Sequence, residues 1–349
     1  MNVEIRRSSC MKKMFLIASL FLIFLIPRFS EGLEYYPHFG PLTTRTQNPL
    51  YLLFLNHTPE APQTLEKGHL QFSVETTVTN LLEQGLSSNG FLLDLDMELY
   101  RTAFNFSYSF HSNFETGIQI PFLSFSGGFL DEFILGYHNT FGFPNGGRDQ
   151  VPNGRFRYLV SDKGKVLYSP NQSTFGLSDL NLYLKYTILK EAGKKPALSV
   201  RATFKPPTGD RGEGLGSGSP DGDLNFALEK SYKRFHSYTN VGLLALGSFD
   251  PLGRFLNPVA VTFSQAFEIN MTHIASVIAQ IQGSSPLFHG TGISELDQIP
   301  LDLNIGFKGT GPRGGSWEHF LWEFAFAEDL IPSGPSVDFS VHFNLGAKF

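Results

Sequence analysis

Val337-Asp338-Phe339-Ser340-Val341-His342-Phe343-Asn344-Leu345-Gly346-Ala347-Lys348-Phe349 ends the chain in strict alternation. Odd positions are apolar, and even positions are polar or glycine. A β-strand sends successive side chains to opposite faces, so this segment has one oily side and one wet side. At roughly 3.3 Å per residue it is about 40 Å long, enough for a tilted path across a bilayer. Two folds use such a strand: a closed transmembrane barrel, and a soluble β-sandwich that turns the oily side inward.

Working back from that strand, the same alternation recurs from His69 onward. It predicts twelve strands, at 69–80, 91–110, 114–126, 177–190, 196–208, 222–232, 236–248, 257–269, 272–283, 298–308, 317–328 and 335–349. Leu180, Leu182, Leu184, Tyr186 and Ile188 form one apolar face; Phe320, Trp322, Phe324 and Phe326 form another. In the second strand the apolar phase flips near Leu99, which predicts a β-bulge or a missed turn there. The connections after strands 2, 4, 6 and 8 are tight, whereas 127–176, 209–221, 249–256 and 284–297 are longer. Membrane barrels have an even strand count, short periplasmic turns and long extracellular loops. A Greek-key sandwich has no reason to alternate in this way. The expected fold class is therefore all-β: a closed antiparallel transmembrane barrel of about 12 strands at 69–349, with one short helix in a long loop.

The other end reads as a targeting segment. Arg6, Arg7, Lys12 and Lys13 precede Met14 to Ile26, an apolar run with Ser19 its only polar residue. That run is too short for a spanning helix and suits a secretory signal peptide at 1–32, cleaved before Leu33, with Met1 or Met11 as the start. Cys10, the only cysteine, would leave with it, so the mature chain would have no disulfide and no thiolate chemistry. Its 22 Lys and Arg against 30 Asp and Glu leave a net charge near −8, which argues against nucleic acid as a partner. Residues 33–68, rich in proline and aromatic residues around Asn48-Pro49-Leu50-Tyr51, have two fates open to them: an internal plug or a periplasmic segment.

Several motifs resemble known families. Gly176-Leu177-Ser178-Asp179-Leu180, Lys205-Pro206-Pro207-Thr208-Gly209-Asp210 and Gly216-Ser217-Gly218-Ser219-Pro220-Asp221 resemble outer-membrane barrels of the phenol meta-pathway type, although those usually carry a glycine where this chain has Ser178. A fuller resemblance is to the Gram-negative domain-of-unknown-function 3187 family. It rests on Phe129-Leu130-Asp131, Ile134, His138 and Phe141-Gly142-Phe143-Pro144-Asn145-Gly146-Gly147-Arg148, and it covers most of 36–349. It implies an outer-membrane barrel and no particular reaction. The terminal Phe349 resembles the signal read by outer-membrane assembly machinery. That machinery and the lipid bilayer are the expected partners.

If the apolar faces meet lipid, the opposite faces line a lumen. They present Asp94, Asp96 and Glu98, then Asp179, Asn181, Lys185, Arg201, Lys205, Asn225, Glu229, Asp302 and Asn304. Of these, Lys185, Arg201, Lys205, Glu229 and Asp302 are the candidate contacts for a small solute; the competing role is bracing the wall by pairing. Twelve strands lie between a filled eight-stranded barrel and an open sixteen-stranded pore, so a small or plugged channel is expected. In the loop 127–176, apolar residues at helical spacing predict a helix at 129–141 that constricts the mouth or packs on the rim, with Asp131, His138 and Arg148 as the polar candidates of the loop. Residues 155–168 predict a hairpin about Asp162-Lys163-Gly164.

No cofactor is expected. Asp210, Glu213, Asp221 and Asp223 are carboxylates without a regular ligand ladder, so no metal is assigned. The expected function is a passive channel or transporter. One alternative is a non-conducting structural or adhesive barrel. The other is a lipid hydrolase using His111-Ser112-Asn113, disfavoured because neighbouring residues on a strand point to opposite faces and cannot cooperate.

Overall fold

The computed structural model describes residues 36–141, 150–170, 173–312, 314–315, 317–331, 333–337 and 339–349; the expected signal segment lies outside them. In chain order the strands are β1 (Leu70–Leu86), β2 (Phe91–His111), β3 (Phe114–Ser126), β4 (Arg157–Asp162), β5 (Lys165–Tyr168), β6 (Thr174–Leu177), β7 (Asn181–Leu189) and β8 (Ala197–Lys205). They continue with β9 (Asp221–Tyr232), β10 (Phe235–Ala245), β11 (Val259–Asn270), β12 (Ala275–Ser284), β13 (Leu301–Thr310), β14 (Phe320–Asp329) and β15 (Phe339–Lys348). Twelve of them form a closed antiparallel ring. β1 pairs with β2 on one side and with β15 on the other, through Val74↔Leu345 and Val78↔Val341, so the sheet has no free edge there. β3 pairs with β2 and then with β7, and from β7 to β15 each strand pairs with the next.

The wall obeys the alternation that defined it. Leu184, Phe226, Leu243, Val261, Ile305 and Leu345 point outward and are exposed, an apolar belt. The intervening positions point inward and are buried: Ser199, Glu229, Asn240, Glu268, Gln280, Asn304 and His342. The two ends of the ring differ. At one end, hereafter the turn end, lie the tight connections such as Ser112-Asn113 and Lys233-Arg234, together with the C-terminus, where Leu70 N–H donates to Phe349 O at 2.9 Å. The other, the loop end, carries the long connections.

β4, β5 and β6 stand outside the ring. β4 and β5 form the expected hairpin, its turn set by Lys163 and Gly164, both at positive φ (50° and 78°), the combination that matches the twist of two-residue hairpins. The hairpin extends the sheet beside the part of β2 that runs past β3, at Phe91–Asp96. Helix α1 (Asp131–Phe141) begins two residues later than expected, with Asp131 and Glu132 in its first turn, where the backbone dipole favours acid. A second short helix, α2 (Ser294–Asp297), had no counterpart in the sequence reading.

The phase flip at Leu99 is not a bulge. β1 and β2 pair without interruption from Leu70↔Tyr108 to Leu86↔Leu92, and the irregularity in β2 lies near the turn, between Tyr108 and His111. The strand runs straight while its surroundings invert. Toward the turn end, Tyr100, Phe104 and Phe106 face outward and Arg101 faces the lumen. Toward the loop end, Phe91, Leu93, Leu95, Met97 and Leu99 face inward, into an apolar cluster. Asp94, Asp96 and Glu98 therefore lie on the outer face, and their expected place in the lumen is corrected. Asp94 bonds Arg155 (2.7 Å) and Arg157 (3.2 Å), and Glu98 accepts the Phe129 amide (2.6 Å) and that of Leu130.

Candidate functional site: a segment seated in the lumen

Residues 36–65 run inside the ring. They enter at the turn end, climb to the loop end, bend, and descend again to the start of β1. Each stage is recorded by hydrogen bonds to inward wall positions. On the way up, the Phe39 and Gly40 amides donate to Glu268, at 3.2 Å each, and the Leu42 amide donates to Gln280 (3.0 Å). The Thr43 amide donates to Glu323 (2.7 Å), and Thr46 Oγ1 donates to Asp302 (2.8 Å). At the top, Asn48 Nδ2 donates to Glu83 (2.9 Å) while its Oδ1 accepts the Leu50 amide (2.9 Å), a side chain closing its own turn. On the way down, the Leu55 amide donates to Asp221 (2.7 Å) and the Glu60 amide to Asn240 (3.2 Å). Finally the Leu65 amide donates to Glu115 (2.9 Å).

A segment without regular structure must satisfy its backbone amides somewhere. Here inward carboxylates and carboxamides do that work.

Two anchors are not simple hydrogen bonds. Arg45 and Arg101 converge on one carboxylate, Glu75; Arg45 Nη2 is 3.0 Å from it, and both guanidinium groups also donate to Gln119. The second anchor is Leu42, fully buried in a small nest of Tyr238, Ala266, Ile278 and Ala325. Gly306 completes that nest: a Cβ there would stand 2.9 Å from Leu42 Cδ2, so only glycine admits the close approach without displacing a neighbour. Above these anchors the segment turns apolar. Leu50 to Leu55 pack with Phe91, Leu93, Leu95, Phe249, Phe255, Phe288 and Leu296, closing the loop end with a dry cluster.

The five lumen candidates all face inward, and each touches this segment. Lys185 Nζ donates to Ala61 O (2.5 Å) and Gln63 O (3.0 Å), and lies 3.2 Å from Glu60. Arg201 bonds Glu60 (3.3 Å) and lies over the Tyr183 ring at 3.8 Å. Lys205 Nζ sits between Asp179 and Asp221 and donates to Leu53 O (3.3 Å). Glu229 is bonded to His38, and Asp302 to Thr46.

The loop candidates are placed differently. Asp131 accepts from Asn80 Nδ2 (2.9 Å) and from the Gly154 amide (2.8 Å), on the outward side of β1. The His138 side chain and Arg148 lie outside the described residues. His111 and Ser112 are exposed at the β2–β3 turn.

Sequence reasoning missed the segment's principal holders: Glu75, Glu268, Gln280, Glu323 and His342. The available signal was a recurrence of ionisable or amide side chains on wet faces that a merely hydrated wall does not need.

Below the segment, at the turn end, a cavity of about 740 Å³ is lined by Tyr36, His38, Thr64, Glu191, Ser231 and His236, among others. Burial works to raise the Glu191 carboxyl. Hydrogen bonds from Lys230 Nζ (2.5 Å) and the Ser231 amide (3.1 Å) outweigh it and hold the group below its ordinary range, anionic beside the cavity.

The fold is similar to that of the COG4313 outer membrane channel from Pseudomonas putida F1, with a TM-score of 0.53 at 12% identity over 84% of this chain and 100% of that one. The P. putida toluene transporter TodX (TM-score 0.36, 9% identity, 81% of this chain and 89% of that one) is more distant. So is the CymD monoaromatic hydrocarbon channel (TM-score 0.35, 10% identity, 81% and 88%). Neither bears on the details of this barrel. No curated protein sequence matches the chain. A family model does match, over residues 20–349. The chain belongs to the family described as Protein of unknown function (DUF3187).

Proposed function

We propose that the protein is a non-enzymatic channel for small solutes in the Gram-negative outer membrane, held shut at rest by residues 36–65 acting as an internal plug. The exposed apolar belt suits lipid, and the short connections suit the periplasmic side. The fold it shares with an outer membrane channel supports the same reading.

The observation that carries the proposal is the burial of the charged lining. Glu229, Glu268 and Asn304 are 0% exposed, although an open twelve-stranded pore would bathe them in water. The bonds that hold the segment also suit a movable part. Each is worth only about 0.5–1.5 kcal/mol net, or about 1.5–3 kcal/mol where a carboxylate accepts, because both partners rehydrate on release. Once the segment withdraws, Phe91, Leu93, Leu95, Phe249 and Phe288 would flank the passage, which favours partly apolar solutes. Closure is assigned to this segment and not to the loop at 129–148, because Asp131 is tethered on the outer face.

The dry cluster at the loop end also favours a second reading, a structural barrel that never conducts. Planar-bilayer recording separates the two. The full chain is expected to stay near baseline, and a variant lacking residues 36–65 is expected to give discrete conductance steps. Silence from both, after refolding is verified by heat-modifiable migration, would support the structural barrel.

A further inference from the structure

Three side chains meet where the lumen segment enters the ring: His38 from the segment, Glu229 from β9 and His236 from β10. One ligand atom from each lies within 4.8 Å of the other two. The His38 and His236 rings stand 4.4 Å apart, tilted by 39°. Glu229 is fully buried; one of its oxygens meets His38, while the other, Oε2, has no hydrogen-bond partner among the described residues. A buried carboxylate oxygen left in that state carries a desolvation cost that a cation would relieve.

The surroundings fix the chemistry of His236. Asn270 Nδ2 is committed to Pro37 O (2.9 Å) and Ser276 Oγ (2.8 Å), so its Oδ1 faces His236 Nε2 at 2.7 Å. An amide oxygen only accepts, so Nε2 carries the proton and Nδ1 keeps its lone pair. Nδ1 points at Ser231 Oγ (2.8 Å), which itself lies 3.2 Å from Glu229 Oε1. A histidine whose far nitrogen donates to an oxygen while the near one carries no proton is the usual arrangement around a bound metal. The large cavity borders His38, His236 and Ser231, so water has room to complete the coordination.

We propose that His38, Glu229 and His236 form a binding site for a divalent transition-metal ion of the zinc type. Two imidazoles and one carboxylate with an open position suit such an ion, whereas calcium and magnesium prefer all-oxygen sets. The ion bridges the lumen segment and the wall, so it also acts as a latch on the segment's entry. Binding stands apart from the transport reading, and only the latch rests on the segment being a movable plug.

The test uses the refolded full chain, with heat-modifiable migration confirming the fold of every variant. Calorimetric titration with Zn²⁺ is expected to show one equivalent bound at micromolar strength or tighter, with no comparable response to Mg²⁺ or Ca²⁺. His38→Ala and Glu229→Gln are expected to weaken binding by about 100-fold or more, and Asn270→Ala, which frees the second nitrogen of His236, by about 10–100-fold. His38 lies outside the wall, so its replacement leaves the ring intact. His319→Ala, at an exposed histidine, is expected to leave the titration unchanged. X-ray absorption at the zinc edge is expected to show two imidazole nitrogens. A folded chain that binds no tighter than millimolar, a His38→Ala variant that titrates like the parent, or an all-oxygen zinc shell would each overturn the site. If binding holds but saturating Zn²⁺ does not slow labelling of a Thr46→Cys variant by a water-soluble thiol reagent, the latch falls and the site stands.

Discussion

Along β2 the part near the turns and the part near the loops have opposite polarity, whereas the far wall stays apolar outward up to the loop end at Leu243 and Val261. Near the turns the ring is oily outside and charged inside, and Arg101 meets Glu75 within it. Near the loops, the inward residues of β2 from Phe91 to Leu99 are apolar and its outward residues, Asp94 and Glu98, are bound by polar loops. Alternation reports that two faces differ. It does not report which one is wet; that depends on what lies against each. The inward face of β2 is dry at the loop end because Leu50 to Leu55 cover it there.

The contrast can be broken from either side. The largest effect is expected from removing residues 36–65, which strips the cover from both halves at once and takes single-channel recordings from baseline to discrete steps. Next come charges placed on the two oily surfaces. Leu95→Arg puts an unpaired charge into the dry cluster and is expected to cost about 3–5 kcal/mol. Val241→Arg, at mid-strand on the outer belt, is expected to cost about 2–4 kcal/mol. Leu86→Arg, at a residue 74% exposed beyond both surfaces, is expected to stay within about 0.5 kcal/mol. Urea unfolding in lipid measures all three. If Leu95→Arg behaves like Leu86→Arg, the loop-end half is wet after all.

A smaller effect, confined to the segment, is expected from Glu75→Gln. It leaves the Arg45 and Arg101 charges uncompensated and loosens docking by about 3 kcal/mol, so a cysteine placed at Thr46 should be labelled faster by a water-soluble reagent while the ring stays folded. Leu42→Ala empties the nest under Gly306 and is expected to cost about 2 kcal/mol, read by the same labelling. An unchanged rate in both variants would mean that the polar half does not hold the segment.

The wall was legible in the sequence because each strand carries its own signal. Closure by β1 against β15 followed from the even count and the loop parity. The inversion along β2 was misread because its physical cause sits forty residues earlier, in Leu50 to Leu55. The lumen path was not legible for a related reason. His38, Leu42, Thr43, Arg45 and Thr46 each meet a different strand, so no period records the arrangement. The proposed metal ligands show the same dispersal, since His38 is far from Glu229 and His236 in the chain and only the seating of the segment joins them.

Both arms of the seated segment open on the same rim of the ring, at His38 and at Leu65. Nothing is threaded through, and no end has to cross to the far side. The cylinder can therefore seal at the seam between its first and last strands with this stretch still hanging below, and be stoppered afterwards like a bottle. Emptying it needs no break in the staves. Under the proposed plug, assembly and closure are separable events, and the second can be governed without disturbing the first.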